Sequence, residues 1–151
     1  MFKSKSFTLI EVLVFISILS LFFVAAMTVA TFSLKNMKSS EYKILATHLA
    51  EQGISWVRSE KEADWSIFTG HGSLSGITYC LNTLDSLVWN SPNPLICNYD
   101  LGSPAIFKRE LILTNQSGNP VTTTDVEITV SWQEGTIENK LPVKTVLKVW
   151  E

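Results

Sequence analysis

The sequence has little charge, few cysteines and histidines, and a single long hydrophobic run. Charged residues make up 17% of the 151, and the formal net charge of −2 argues against a protein that coats nucleic acid. Because there is no second apolar run long enough to span a bilayer, a polytopic membrane protein is excluded. Hydrophobic residues make up 21 of the 28 residues from 7 to 34 but only 46 of the 117 residues that follow, so a plain cytosolic globule is excluded as well.

The two histidines do not form a recognisable metal or catalytic site. His71 has no cysteine, carboxylate or second histidine at metal-ligand spacing, and neither His71 nor His48 has a serine or cysteine nucleophile pattern beside it. We expect His71, which lies between two glycines, to be in a solvent-exposed loop. The sequence therefore predicts no catalytic residues, no metal and no cofactor.

The long hydrophobic run lies at residues 12–34, where no residue is charged. As a helix it would reach roughly 34 Å at about 1.5 Å per residue, enough for a hydrocarbon core of about 30 Å. Lys3 and Lys5 precede the run, which predicts a cytoplasmic N-terminus and a single pass, with the rest of the chain outside. Lys35 and Lys38 follow it and weaken that prediction. A removable secretory signal and a simple signal anchor both agree with these features.

Glu11 is the one charged residue between Phe7 and the end of this run. An acid at the centre of a membrane costs about 2.5 to 3.5 kcal/mol and less near the edge, so its presence indicates a use unless it reaches water at the interface. The string FTLIE at residues 7–11 follows a short basic leader at residues 1–6. This arrangement resembles the cleavage and methylation segment of type IV prepilins and type II secretion pseudopilins.

The resemblance implies specific processing at the start of the chain. Prepilin peptidase would cut between Ser6 and Phe7, and the new amino group of Phe7 would be N-methylated. Ser6 stands where the family usually has glycine. The resemblance also implies that Glu11 acts in assembly: a carboxylate buried in a filament core needs a partner, and the suggested partner is the amino group of Phe7 on an adjacent subunit.

Partners and location follow from the same resemblance. The expected partners are other pilin or pseudopilin subunits, prepilin peptidase, the inner-membrane assembly platform and, before assembly, membrane lipid. The expected location is a single pass in the cytoplasmic membrane and then an extracellular or periplasmic filament. No proline precedes Pro92, although many major pilins have one in the middle of this helix, and residues 50–54 look like a helix segment of minor pilin-like proteins. Both features favour a minor subunit and a regular helix through Thr28.

Beyond residue 34 the pattern stays helical to Trp65 and becomes amphipathic, with apolar residues three and four positions apart. The small residues Ala46, Ala50 and Gly53 predict a close approach to a sheet. Residues 66–76 contain three glycines and predict a loop.

Period-two alternation predicts antiparallel strands in the rest of the chain. The clearest strand is at residues 126–133, with others at 107–114 and 141–149, a short one at 77–81, and a hairpin connection at 134–139. The expected fold is α+β, in which a long N-terminal helix, transmembrane and then amphipathic, packs on an antiparallel sheet of about four strands. The pilin resemblance implies the same fold.

The predicted domain organisation has four parts: a leader at residues 1–6, a transmembrane and assembly helix at 7–34, its amphipathic continuation at 35–65, and a globular head at 66–151. Cys80 and Cys97 both lie on the predicted outer side, where a disulfide is favoured. Two free thiols or a metal pair are the alternatives.

The leading hypothesis is therefore a minor pilin or pseudopilin that assembles into a filament. The alternative is a membrane-anchored or secreted binding module with an ordinary signal segment. An enzyme is not expected, because the acidic residues are dispersed on alternating strand positions. Nucleic-acid binding is not expected either, although Lys108, Arg109 and Lys140 could form a local basic patch.

Overall fold

A computed structural model describes residues 8–84 and 87–150, and this part of the chain forms two helices and four strands. The elements are α1 at Leu9–Ala63, α2 at Trp65–Gly70, β1 at Ile77–Cys80, β2 at Phe107–Asn115, β3 at Thr123–Glu134 and β4 at Ile137–Lys148. The strands form one antiparallel sheet in the order β1-β2-β3-β4. The predicted α+β class, a long N-terminal helix on a four-stranded antiparallel sheet, is confirmed.

The chain divides into two compact units between Ser40 and Glu41. The described part of the first unit is the N-terminal stretch of α1. The second unit, called the head here, contains the rest of α1, α2 and the sheet. The predicted leader at residues 1–6 lies outside the described residues, and the other predicted domain boundaries stay a prediction.

Within the head, α1 packs one stripe of side chains on the sheet. The buried residues of α1 are three and four positions apart: Ala46, Leu49, Ala50, Gly53 and Val57. A Cβ added at Gly53 would lie 2.8 Å from Cδ1 of a β3 isoleucine, which is closer than carbon atoms normally approach. The expectation that small residues let the helix approach the sheet is therefore confirmed.

The sheet buries alternate residues of β2 and β3 against this helix. In the register of the sheet, Ile128 on β3 lies between Leu111 on β2 and Val143 on β4, and the first two are fully buried. Glu134 pairs with Ile137, so the hairpin turn has only two residues, a tighter connection than predicted. Its first residue is a glycine with φ of 65°, a conformation that two-residue hairpin turns commonly require.

The prediction of a loop over residues 66–76 is wrong for residues 66–70, because these residues belong to α2. Asp64 ends the preceding helix and caps the new one: its Oδ1 accepts a hydrogen bond of 2.9 Å from the backbone N–H of Ile67. Phe68 of α2 is buried in the core. All four predicted strands are present, and β3 and β4 begin earlier than predicted, at Thr123 and Ile137.

Candidate functional site

The first candidate site is the start of α1. Ser6 and Phe7, the predicted processing residues, lie outside the described residues. The carbonyl of Thr8 accepts the N–H of Glu11 at 3.1 Å and that of Val12 at 3.3 Å, which forms the first helical turn. Glu11 lies in this turn, where the positive end of the helix dipole favours a carboxylate. Its side chain is exposed and forms no ion pair with any described residue.

The N-terminal stretch of α1 is apolar on all sides. Its most hydrophobic window of 18 residues has a mean hydropathy of 2.7, and none of that window is buried. Ile10, Phe15, Leu21, Met27 and Phe32 are each more than 60% exposed. By length and composition, α1 is the one helix of the described chain that could cross a membrane. A helix that is apolar all round is typical of a surrounding of lipid or of other helices.

Hydroxyl groups in this stretch bond to the helix itself. Ser17 Oγ donates to the carbonyl of Leu13 at 2.8 Å, Thr28 Oγ1 to that of Ala25 at 2.7 Å, and Thr31 Oγ1 to the carbonyls three and four residues before it. Such bonds satisfy a hydroxyl without solvent. The helix is also continuous through Thr28, as the absence of proline predicts. In the sequence, Glu11 is the one ionisable side chain of residues 8–34.

The head contains a buried arginine that holds several elements together. Arg109 on β2 is fully buried. Its Nε donates to the carbonyl of Leu81 at 2.9 Å, its Nη1 to the carbonyl of Leu49 at 2.7 Å and to Oε1 of Gln52 at 3.1 Å, and its Nη2 to the carbonyl of Thr83 at 2.9 Å. Burial lowers the pKa of Arg109 to about 10. The side chain thus links α1 to the segment that follows β1.

Lys108, Arg109 and Lys140, which could form a basic patch by sequence, do not form an exposed basic surface in the structure. Arg109 is buried, and the ammonium groups of Lys108 and Lys140 lie 3.5 and 3.2 Å from carboxylate oxygens of Glu138. Tyr99 donates its hydroxyl to the same carboxylate, and Lys108 Nζ lies 5.0 Å from the centre of the Tyr99 ring. Burial and the hydrogen bond to Glu138 raise the pKa of Tyr99 to about 12. The hydrogen bond from Tyr99 lowers the pKa of Glu138. This cluster is a neutralised surface network.

His71 is half-buried, so the expectation of a solvent-exposed residue is wrong. Its ring stacks on Trp89 with centroids 4.0 Å apart and planes 7° from parallel. Trp89 Nε1 donates to Glu60 at 2.7 Å, and the hydroxyl of Tyr79 donates to the His71 carbonyl at 2.8 Å. His48 is exposed on α1. In residues 8–84 and 87–150, no group of three or more histidine, cysteine or acidic side chains could hold a metal.

Cys80 and Cys97 form a disulfide with Cα atoms 5.7 Å apart, in agreement with the favoured expectation. The segment between them is also tied to β1 by backbone hydrogen bonds. Asn93 donates its N–H to the carbonyl of Thr78 at 2.7 Å and accepts the Thr78 N–H on its side chain at 3.0 Å. The loop between β1 and β2 is therefore held along the free edge of β1.

Residues 1–27 match the family model of the prokaryotic N-terminal methylation motif. This motif is the hallmark of type IV pilins and pseudopilins, which are structural proteins. The match covers the apolar start of α1 and none of the head. Neither the comparison with curated proteins nor the comparison with solved structures found a match. The motif supports a type IV pilin-like or pseudopilin subunit, and together with the apolar helix it fits membrane anchoring.

Proposed function

We propose that this chain is a minor pilin or pseudopilin, cut by prepilin peptidase between Ser6 and Phe7 and built into a thin helical filament through α1. The proposal rests on one observation, that two features are continuous along the chain. A methylation motif at residues 1–27 runs into a helix with exposed apolar side chains on every side. That helix begins with one carboxylate, Glu11, which has no ionic partner in the described chain.

Glu11 sets the axial register between neighbouring subunits in this proposal. A carboxylate transferred to an apolar filament core is costly unless a cation meets it. The methylated amino group of Phe7 on the next subunit is such a cation. Because the rest of the helix surface is uniformly apolar, its packing discriminates weakly between axial offsets. A charge pair in low dielectric discriminates strongly, since its energy falls quickly with separation.

Before assembly the same helix crosses the cytoplasmic membrane, with the basic leader at residues 1–6 inside and the head outside. Lipid then covers the apolar side chains that other subunits cover later. The proposed partners are prepilin peptidase, the inner-membrane assembly platform and other subunits of the filament. The proposed place of the filament is the periplasm or the cell exterior. The proline-free helix and the segment at residues 50–54 favour a minor subunit.

The N-terminus of the mature protein tests the processing step. We expect N-terminal sequencing and intact mass to give a chain that starts at N-methylated Phe7. A Ser6→Gly variant should be cut at least as fast, because glycine is the residue that the family usually has there. A mature chain that starts after Ala26 or Ala30, or that keeps Met1, would instead support a binding module with an ordinary signal segment.

The role of Glu11 is tested by separating membrane insertion from assembly. We expect Glu11→Gln and Glu11→Ala to insert and be processed normally but to be depleted in sheared filaments, because neither side chain carries the charge. Glu41→Gln is the matched control, since Glu41 is another exposed glutamate of α1. Normal incorporation of Glu11→Ala would refute the register mechanism while leaving the processing result intact.

A further inference from the structure

A polar cleft opens beside the disulfide, between the end of β1 and the loop that follows it. Its volume is about 350 Å³, at the lower end of the range of about 300–1,000 Å³ typical of small-molecule sites. Asparagine, serine and aspartate side chains line most of it, and Pro94 and Ile96 form an apolar edge. None of these residues takes part in the proposed filament register.

Two amides in the wall of this cleft are fixed by hydrogen bonds. Asn82 Nδ2 donates to the carbonyl of Asn98 at 2.6 Å, and its Oδ1 accepts the backbone N–H of Arg109 at 3.0 Å. Asn90 Nδ2 donates to the carbonyl of Cys80 at 2.7 Å. The disulfide and the pairing of the loop with β1 add further restraints. The cleft is therefore preformed, which lowers the entropy cost of binding a ligand.

Other polar groups of the cleft remain available to a ligand. The side chains of Ser91, Asn98 and Asp100 are exposed and form no hydrogen bond with another described residue. The amide of Asn98 and the hydroxyl of Ser91 can both donate and accept hydrogen bonds, whereas the carboxylate of Asp100 only accepts them. Ile96, next to them, is 77% exposed. The cleft thus offers donors, acceptors and one apolar contact within the reach of a small ligand.

The charge of the surrounding loop restricts the chemistry of that ligand. Residues 81–106 contain no lysine or arginine, so nothing in the loop compensates a phosphate, a sulfate or an acidic sugar. A metal ion is also a poor match, because among the described residues that line the cleft Asp100 is the only anionic group. A neutral molecule with several adjacent hydroxyl groups and an apolar ring face matches the donors, acceptors and apolar edge together.

We propose that this cleft binds a neutral carbohydrate of one or two sugar rings. Asp100 and Asn98 bind adjacent hydroxyl groups of the sugar, Ser91 binds a third, and the C–H face of the ring packs on Ile96. The amides of Asn82 and Asn90, already fixed by the backbone, keep the wall in place. This binding activity goes beyond the proposed filament role and does not depend on it.

The test uses the full chain in lipid nanodiscs and saturation-transfer NMR. The probes are neutral sugars, namely glucose, galactose, mannose, N-acetylglucosamine, N-acetylgalactosamine and their common disaccharides, with glucuronic acid and sialic acid as anionic controls. We expect transfer to at least one neutral sugar and none to the acids. No transfer to any neutral sugar, or equal transfer to the acids, would overturn the proposal. Binding that is lost on chelation of divalent cations would also overturn direct recognition.

Substitutions locate the binding site. We expect Asn98→Ala and Asp100→Ala to weaken the affinity about tenfold or more, because each loses hydrogen bonds to the sugar. Gln133→Ala is the matched control, an exposed amide on β3 outside the cleft. Ser91→Ala provides a third cleft variant if one of the others is not folded by circular dichroism. Equal affinity of all folded variants would place the sugar elsewhere and refute the assignment.

Discussion

Replacement of Arg109 by methionine tests how a buried cation that has no carboxylate partner among the described residues stabilises the head. Methionine keeps much of the aliphatic volume but removes every donor. The carbonyls of Leu49, Leu81 and Thr83 then lose the hydrogen bonds that the guanidinium supplies. Thr83 is exposed and can turn to water, whereas Leu49 and Leu81 are buried. The Leu49 carbonyl lies within α1 and keeps its helical hydrogen bond to Gly53, so Leu81 is the buried acceptor left unpaired, at a cost of about 1–3 kcal/mol.

A gain in stability opposes this loss of hydrogen bonds, because Arg109→Met no longer buries a charge. Buried ion pairs are sometimes replaced by apolar residues with a gain in stability, since both charged partners are removed together. That exchange is not possible here. Three of the four acceptors are backbone carbonyls, which stay in place whatever residue occupies position 109. We therefore expect Arg109→Met to lower the free energy of unfolding by about 1–3 kcal/mol.

Two further variants separate the contributions. Arg109→Lys keeps the charge but has one nitrogen instead of three, so it can satisfy only some of the carbonyls and should fall between wild type and Arg109→Met. Arg109→Ala also leaves a cavity and should lose roughly a further 2 kcal/mol. The expected order of stability is arginine, lysine, methionine, alanine.

Urea unfolding of the full chain in detergent, followed by tryptophan fluorescence, measures this order. All five tryptophans lie beyond residue 41, so the signal reports the head. A change in midpoint with an unchanged slope gives the difference in stability. If Arg109→Met were as stable as wild type or more so, the carbonyl hydrogen bonds would not offset the burial of the charge, and the reasoning would be refuted.

Three other predictions concern the head. Gly53→Ala should lower the free energy of unfolding by about 1–3 kcal/mol in the same assay. The control is Gly70→Ala, whose added Cβ meets no atom within 4 Å and which should change the free energy of unfolding by less than about 0.5 kcal/mol. Equal effects of the two substitutions would contradict the packing argument. Replacing Cys80 and Cys97 together by serine should cost about 3 kcal/mol for a sequence separation of 17, whereas reduction of the serine variant should change nothing. Because the folded-state pKa of Tyr99 is raised from 10.0 to about 12, its stabilising contribution is complete below pH 10 and is lost as the pH rises towards 12. An absorbance titration should show that Tyr99→Phe removes one tyrosine from the latest ionisation step, and an unchanged step would contradict this.

Much of the fold could be predicted because each element presents one face to the core. The spacing of three and four along α1 and the alternation in β3 are local patterns, and they predict which side of each element is buried. The second helix was missed because the three glycines of residues 66–76 dominate the local composition. Its actual determinants are the cap at Asp64 and the burial of Phe68, and the second of these depends on the whole core.

The candidate sites differ in how far the sequence predicts them. The sequence indicates that Arg109 is buried, because alternation between Phe107 and Leu111 places residue 109 on the inward face of β2. The charge of arginine favoured a surface position instead. No local signal pairs Lys108 on β2 with Glu138 on β4, because another strand separates these two elements. The same holds for the stack of His71 on Trp89, whose two residues lie on opposite sides of β1 in the sequence.

Arg109 and Glu11 differ in where their interaction partners come from, and this difference predicts which of them affects folding and which affects assembly. Arg109 donates its hydrogen bonds to three backbone carbonyls and the Gln52 side chain of its own head, so the fold is sufficient to satisfy it. Glu11 has no ionic partner in the described chain, and the hydroxyls that follow it in α1 bond to their own helix instead. In the proposed function, a second subunit supplies the ionic partner of Glu11. Substitutions at Arg109 should therefore alter the stability of the isolated subunit, whereas substitutions at Glu11 should leave that stability unchanged and alter incorporation alone.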